Sequence, residues 1–320
     1  MNLTHRFRGS LLGLATGDSL GVYAEGLVPG SFPPVTDIVG GGFHQLPRGY
    51  WTDDTSMAIC LGESLVEKDG FDAMDQAECY LRWYRRGYRS SIDACFGIGG
   101  ATRWALEKFE ACREPFSGSR DPSRGGNGSM MRLAPVPLYF FYDPELAIKM
   151  AADSSRVTHG APEPVDGCRY LCALILGALA GLSKEEILSD HFSPYPHCWD
   201  QAPLCPAIEN IASGSFREKE PPQIRGTGYV VDSLEAALWA FHRGNSFREG
   251  VLLAVNLGND ADTTGAVYGQ IAGAYYGLPG IPEQWQEIIH QKDMIISLAD
   301  RILAGAQKHR GNPHHRQNLS

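Results

Sequence analysis

Two stretches carry glycine at every fourth position among apolar neighbours: Gly9, Gly13, Gly17 and Gly21 near the start, and Gly265, Gly269, Gly273 and Gly277 far downstream. A spacing of four keeps such residues on one slowly drifting stripe of a helix. Glycine in a helix interior costs roughly 1 kcal/mol against alanine. Eight of them at this spacing therefore point to close backbone approach, the two stripes packing on each other or each on a third helix. Apolar periodicity predicts further helices over 53–67, 71–86 and 102–111, with Met74, Ala77, Leu81 and Tyr84 as the apolar face of the second. Asp143-Pro144 is a cap followed by a first-turn proline, starting a helix that reaches about 157. The run 164–182 is apolar on most sides and reads as a buried helix. Ser183 with Glu186, and Ser246 with Glu249, have capping-box spacing. Helices also fit 232–242, 247–257 and, without a break, 282–308. Alternating strands are scarce. Residues 30–49 and 113–128 read as glycine-rich loops, 190–228 as proline-rich and irregular, and 309–320 as a polar disordered tail. No linker cuts the chain, so the expectation is one all-α domain over 1–308.

Composition narrows the function. A 320-residue chain with 43% hydrophobic and 20% charged residues has the makings of a soluble globular core. Its formal net charge of −9 argues against nucleic-acid backbone binding. No apolar run reaches the ~20 residues that span a bilayer. The short apolar run after Arg6 and Arg8 is interrupted by Asp18 and reads as a native helix rather than a signal peptide. The eight cysteines form no CxxC pair, and most fall on apolar helix faces, which predicts buried free thiols and a cytoplasmic protein.

The chemistry concentrates at two places. Asn259-Asp260-Ala261-Asp262-Thr263-Thr264-Gly265 joins an apolar run to the second glycine stripe, and Thr52-Asp53-Asp54-Thr55 heads another apolar run. Either alone reads as helix capping. Together, rich in hard oxygen ligands and poor in nearby Lys or Arg, they point to Mg2+ or Mn2+. Four carboxylates sharing one pocket repel unless a cation or a proton intervenes.

An ordered set of motifs resembles the ADP-ribosylglycohydrolases over most of residues 6–280. They are Gly17-Asp18-Ser19-Leu20-Gly21 with Glu25, Trp51-Thr52-Asp53-Asp54-Thr55, Gly126-Asn127-Gly128-Ser129-Met130-Met131-Arg132, Thr158-His159, Gly228-Tyr229-Val230-Val231 and Gly258 to Gly265. The resemblance implies a single-domain orthogonal helical bundle with a binuclear Mg2+ or Mn2+ cleft. It makes Thr52, Asp53, Asp54, Asp260, Asp262 and Thr263 the ligands of two ions. Ions about 4 Å apart share bridging carboxylates and orient a water. It makes Glu25 a candidate acid or base, Asp54 a catalytic carboxylate as well as a ligand, and Gly99, Asn127, Gly128, Ser129, Met130, His159 and Tyr229 contacts to ADP-ribose. The implied reaction breaks the bond between the distal ribose and an ADP-ribosylated protein or other acceptor, through an oxocarbenium-like transition state. The alternative is a non-catalytic ADP-ribose-binding or structural member of the same fold. A two-metal phosphoester hydrolase is suggested by the carboxylates alone. Arginine-specific relatives carry an aspartate where Cys95-Phe96-Gly97-Ile98-Gly99 has Gly97. The reading expects that loss to weaken any preference for a guanidinium acceptor, unless another carboxylate such as Asp93 fills the gap.

Overall fold

The computed structural model describes residues 2–310, and the rest of the predicted tail lies outside the described residues. In chain order the helices are α1 (Leu3–Gly21), α2 (Asp53–Glu67), α3 (Ala73–Arg86), α4 (Gly100–Cys112), α5 (Pro135–Tyr139), α6 (Pro144–Arg156) and α7 (Pro162–Ala180). They continue with α8 (Lys184–Ile187), α9 (Pro206–Ala212), α10 (Val230–Arg243), α11 (Phe247–Val255), α12 (Ala261–Tyr276), α13 (Glu283–Ile288) and α14 (Lys292–Lys308). Among the described residues there is no strand, only isolated bridges such as Gly126 with Tyr229. No helix among them is long and apolar enough to cross a membrane.

The glycine stripes pack on each other. A Cβ on Gly9, Gly13 or Gly17 would overlap the carbonyl oxygen of Gly273, Gly269 or Gly265, and one on Gly21 would overlap the backbone of Asp262. Each step up α1 is matched by a step down α12, so the helices run antiparallel with their backbones in contact. Ser10 Oγ donates to Gln270 O at 2.9 Å across the seam. The buried Gln270 then pins the chain entering α5, donating to the carbonyls of Met130 (3.1 Å) and Met131 (2.8 Å) and accepting from Ala134 N (2.7 Å). α7, buried along almost its whole length, α10, α11 and α14 pack around this pair.

Other elements depart from the periodicity reading. The helix expected over 282–308 is broken, because Gln291 adopts a left-handed conformation. The bend lets His290 N reach Gly49 O (2.9 Å) and brings His290 O to Trp51 Nε1 (3.0 Å), tying the C-terminal helices to the approach to α2. α3 buries Gln76, Ala77, Cys79, Tyr80 and Trp83, while Met74 is exposed and Leu81 and Tyr84 are half-buried. The expected face is rotated because Gln76 goes inside, where its amide donates to Ser154 Oγ (3.0 Å), Ser154 O (3.1 Å) and Tyr80 Oη (3.1 Å). α5, and α9 inside the supposedly irregular 190–228, were not expected. The Ser183–Glu186 box is complete. Ser246 does cap Glu249 N, but Glu249 returns its bond to Asn245 N rather than to Ser246 (2.9 Å). His309 and Arg310, assigned to the tail, close α14, with His309 Nε2 2.9 Å from Asp69 Oδ1. All eight cysteines are free thiols, five of them buried.

Candidate active site

The packing of α1 on α12 brings the C-terminal end of α1 to the N-terminal ends of α2 and α12. At that junction Asp18, wholly buried, caps α2 from another helix. Its carboxylate accepts from Thr52 N (2.9 Å), Thr55 N (3.1 Å), Thr52 Oγ1 (3.0 Å) and Thr55 Oγ1 (2.6 Å). Burial still pushes Asp18 up to about 6, against the pull of those bonds. With Asp18 serving the helix end, the side chains of Asp53 and Asp54 in the first turn are free for other work.

Asp54 Oδ2 accepts from Thr52 Oγ1 at 3.1 Å, and Thr263 Oγ1 approaches it at 3.5 Å from the head of α12. That contact joins the two carboxylate clusters into one site. Gly258 and Asn259 take left-handed conformations, turning the chain sharply so that Asp260 stands at the N-cap position of α12, without a side-chain capping bond, and Asp262 lies in its first turn. Asn127 Nδ2 donates to Asp260 Oδ2 at 2.6 Å. Asp53, Asp54 and Asp262 are buried, and burial first, then the charge of their neighbours, raises all three well above the usual carboxylate range. Among the described residues the one basic side chain within ion-pair distance of this cluster is His44, its Nε2 3.5 Å from Glu25 Oε1, and burial lowers its pKa toward the neutral form. Glu25 stands half-buried at the edge, pushed up to about 7 by burial and then by the charges of Asp260 and Asp18.

Asp54 Oδ1, Asp262 Oδ1 and Glu25 Oε2 are buried with no hydrogen-bond partner. Orphaned anionic oxygens are costly unless a cation completes them. Among the described residues no three His, Cys, Asp or Glu side chains are arranged to hold a metal ion. Thr52 and Thr263 add hydroxyls to these carboxylates, and Asp260 is turned toward Asn127, so the oxygens are gathered but not closed around a centre. The donors, all hard oxygens without a neighbouring Lys or Arg, fit Mg2+ or Mn2+.

The loop before α5 is tied to this cluster. Asn127 N donates to Gly228 O (3.1 Å) and Val230 N to Gly125 O (2.9 Å), laying the glycine loop beside Tyr229, whose ring packs on Gly125. Tyr229 and Gly99 are exposed, and Gly99 opens α4 with nothing near its α-carbon. Gly128 is partly exposed, whereas Ser129, Met130 and His159 are buried behind the loop. His159 lies against Gly126 and Gly128, bonds Thr158 Oγ1 through Nδ1 (2.8 Å), and is held neutral, down to about 3, by burial and by Arg132.

Three residues here were not singled out as site residues from sequence. Asp18 lay within the Gly17–Gly21 motif, and an acid inside an apolar glycine stripe was the further signal. Arg132 lay within a quoted motif; wholly buried, it donates to Gly128 O (2.9 Å) and Thr158 Oγ1 (2.6 Å) and covers the Tyr80 ring at 4.3 Å, holding the loop from beneath. For His44, in a polar loop, there was no signal.

Gly97 has a more specific role than an open space. It sits at φ +74°, and a Cβ there would overlap Asp53 Oδ1. Asp93, the proposed substitute carboxylate, packs its backbone on Gly87 and acts electrostatically on His290, and no contact ties it to the cluster.

The family model described as ADP-ribosylglycohydrolase matches residues 1–312. The chain is 42% identical over 297 residues to the ADP-ribosylarginine hydrolase Tri1 of Pseudomonas putida (strain GB-1), covering 93% of this chain and 77% of that protein. It is 38% identical to the ADP-ribosylarginine hydrolase Tri1 of Serratia proteamaculans (strain 568), over 92% of this chain and 78% of that one. A solved structure titled ADP-ribosylglycohydrolase-related protein complex superposes with a TM-score of 0.83 at 44% identity, covering 95% of this chain and 99% of that one.

Proposed function

Since the chain belongs to the ADP-ribosylglycohydrolase family, we propose that it is a divalent-metal-dependent hydrolase that releases ADP-ribose from arginine side chains. The observation that carries the reading is the meeting of the Thr52–Asp54 and Asp260–Thr263 clusters beside Glu25, with two of their buried carboxylate oxygens unpartnered. Two Mg2+ or Mn2+ ions held by Thr52, Asp53, Asp54, Asp260, Asp262 and Thr263 would supply Lewis acidity for a water and fix the ribose hydroxyls.

The remaining work falls to the chain itself. Hydrolysis adds water oxygen to the ribose carbon, breaks its bond to the guanidine nitrogen and delivers a proton to that nitrogen. Glu25, raised toward neutrality at the edge of the cluster, is suited to hold that proton. We assign the proton of the attacking water to Asp54, which hydroxyls from both clusters approach at Oδ2 and whose Oδ1 is unpartnered. Asn127 orients Asp260, and the Gly99 end of α4 and the backbone of Gly126 and Gly128 offer N–H groups suited to a diphosphate. The exposed Tyr229 ring offers a face for the adenosine end. Arginine is favoured as acceptor because both relatives above act on ADP-ribosylarginine. Against this stands the missing aspartate at 97, where the left-handed glycine lies close to the Asp53 carboxylate instead.

The test is turnover of arginine-, serine- and nucleic-acid-linked ADP-ribose with Mg2+, Mn2+ or excess chelator. The expected result is release of ADP-ribose from arginine, abolished by chelator. Turnover that survives chelation, or release of phosphate instead, overturns the proposal.

A further inference from the structure

The segment between Glu25 and Trp51 contains a tight turn to which the proposed reaction gives no task. Gly41 N donates to Leu46 O at 2.7 Å and Leu46 N returns to Gly41 O at 2.9 Å. Gln45 closes on Gly42 O through its backbone (3.2 Å) and its side-chain amide (2.7 Å). Gly42, at φ +65°, rests directly on the Val22 carbonyl. The turn is therefore seated on the end of α1, and its tip residues point in fixed directions. His44 turns inward, with Nε2 3.5 Å from Glu25 Oε1 and its ring 5.0 Å from that of Phe96. Phe43 turns outward and is 80% exposed, the most exposed large apolar side chain among the described residues.

Exposed Leu27, Val28 and Val39 stand on the same segment, and Leu27 O accepts from Asn259 N (2.8 Å) at the edge of the carboxylate cluster. Single exposed apolar residues need no explanation. A phenylalanine presented by a braced turn one residue from the neighbour of Glu25 does, because its ring meets the neighbouring His44 edge-on and otherwise stays open. Phe43 touches Glu25 only through His44, whose ring it meets edge-on at 5.1 Å. A folded protein that presents a modified arginine to Glu25 brings its own surface toward this rim, which a free ADP-ribosyl guanidine does not. The net charge of −9 further suits a basic surround.

Resting on the function proposed above, we infer that the Gly41–Leu46 turn is the docking element for an ADP-ribosylated protein acceptor, with Phe43 as its apolar anchor. The experiment compares wild type, Phe43→Ser and Phe43→Leu on free ADP-ribosylarginine and on a globular protein ADP-ribosylated at surface arginine. Phe43→Ser is expected to lose roughly ten-fold in kcat/KM on the protein, through KM, while staying within about two-fold on free ADP-ribosylarginine. Phe43→Leu should recover most of the loss. Equal losses on both substrates, or no loss on the protein, overturn the inference while leaving the reaction standing. So does a wild type that elutes as a dimer, becomes monomeric in Phe43→Ser and hydrolyses the protein unchanged, since the turn then seats a second copy. Failure of wild type on both substrates removes the proposed function and the inference with it.

Discussion

Replacing Gly269 by alanine tests the central packing by the sign of its effect. In a helix on its own the change gains about 1 kcal/mol. Here the new Cβ would overlap Gly13 O and lie 2.9 Å from Leu14 N. Both are backbone atoms, so no rotamer change relieves the contact, and α1 and α12 must part. Overpacking costs about 1–3 kcal/mol. The upper end applies, because the Gly9–Gly273 and Gly17–Gly265 contacts on either side must open with it. Setting about 3 kcal/mol against the gain of about 1 leaves a net loss near 2 kcal/mol. With an unfolding entropy of about 2.1 cal/mol/K per residue over 320 residues, Tm should fall by about 3 °C. Gly269→Leu, with more to place, should fall further. Gly100→Ala, where nothing lies within 4 Å of the added Cβ, is the control and should leave Tm level or slightly raised. Calorimetric melts of the three proteins decide it. A Gly269→Ala melt equal to or above wild type refutes the close-packed seam.

Three further outcomes follow from the site. Asp54→Ala and Asp262→Ala should each abolish turnover while far-ultraviolet circular dichroism stays native, since each removes a proposed metal ligand and leaves the Asp18 cap of α2 in place. In chelator the protein should melt lower at pH 8 than at pH 5. Asp53, Asp54 and Asp262 have folded values raised above their unfolded ones, so their contribution is present at low pH and lost as pH rises through the raised values, and added Mg2+ should remove the slope. A chelated melt that rises with pH over that window contradicts the account. Gly97→Asp should lower Tm and depress turnover of arginine- and serine-linked ADP-ribose together, because it strains a left-handed position and strikes Asp53. A selective gain on arginine would restore the simpler view that position 97 only lacks a carboxylate.

The carboxylates were legible in the sequence because they stand beside helix starts that apolar periodicity marks clearly; α2 was bounded correctly as 53–67. The glycine stripes were legible because spacing survives in one dimension, although which stripe met which did not. Asp18 was hidden because its work is done across 34 positions, as the cap of a helix it does not belong to. The α3 face was misread because polarity predicted Gln76 outside, while Ser154 and Tyr80 supplied the partners that let it in. The break at Gln291 depends on Gly49 and Trp51, about which local periodicity carries no information.

The seam between α1 and α12 also dictates an order of events in folding. Ser10 bonds a residue 260 positions later, and Thr263 approaches Asp54 across 209. Such contacts make contact order high and the closing step slow, because most of the chain's loop entropy is lost before they form. On a ribosome, α1 would emerge with its glycine groove uncovered and wait for almost all the remaining sequence. During that interval Asp53 and Asp54 have no opposite half, so a nascent chain lacks the joined carboxylate cluster. Closure of the seam and assembly of the carboxylate cluster are then one late event, and any chain stalled before α12 is both open at its centre and inert.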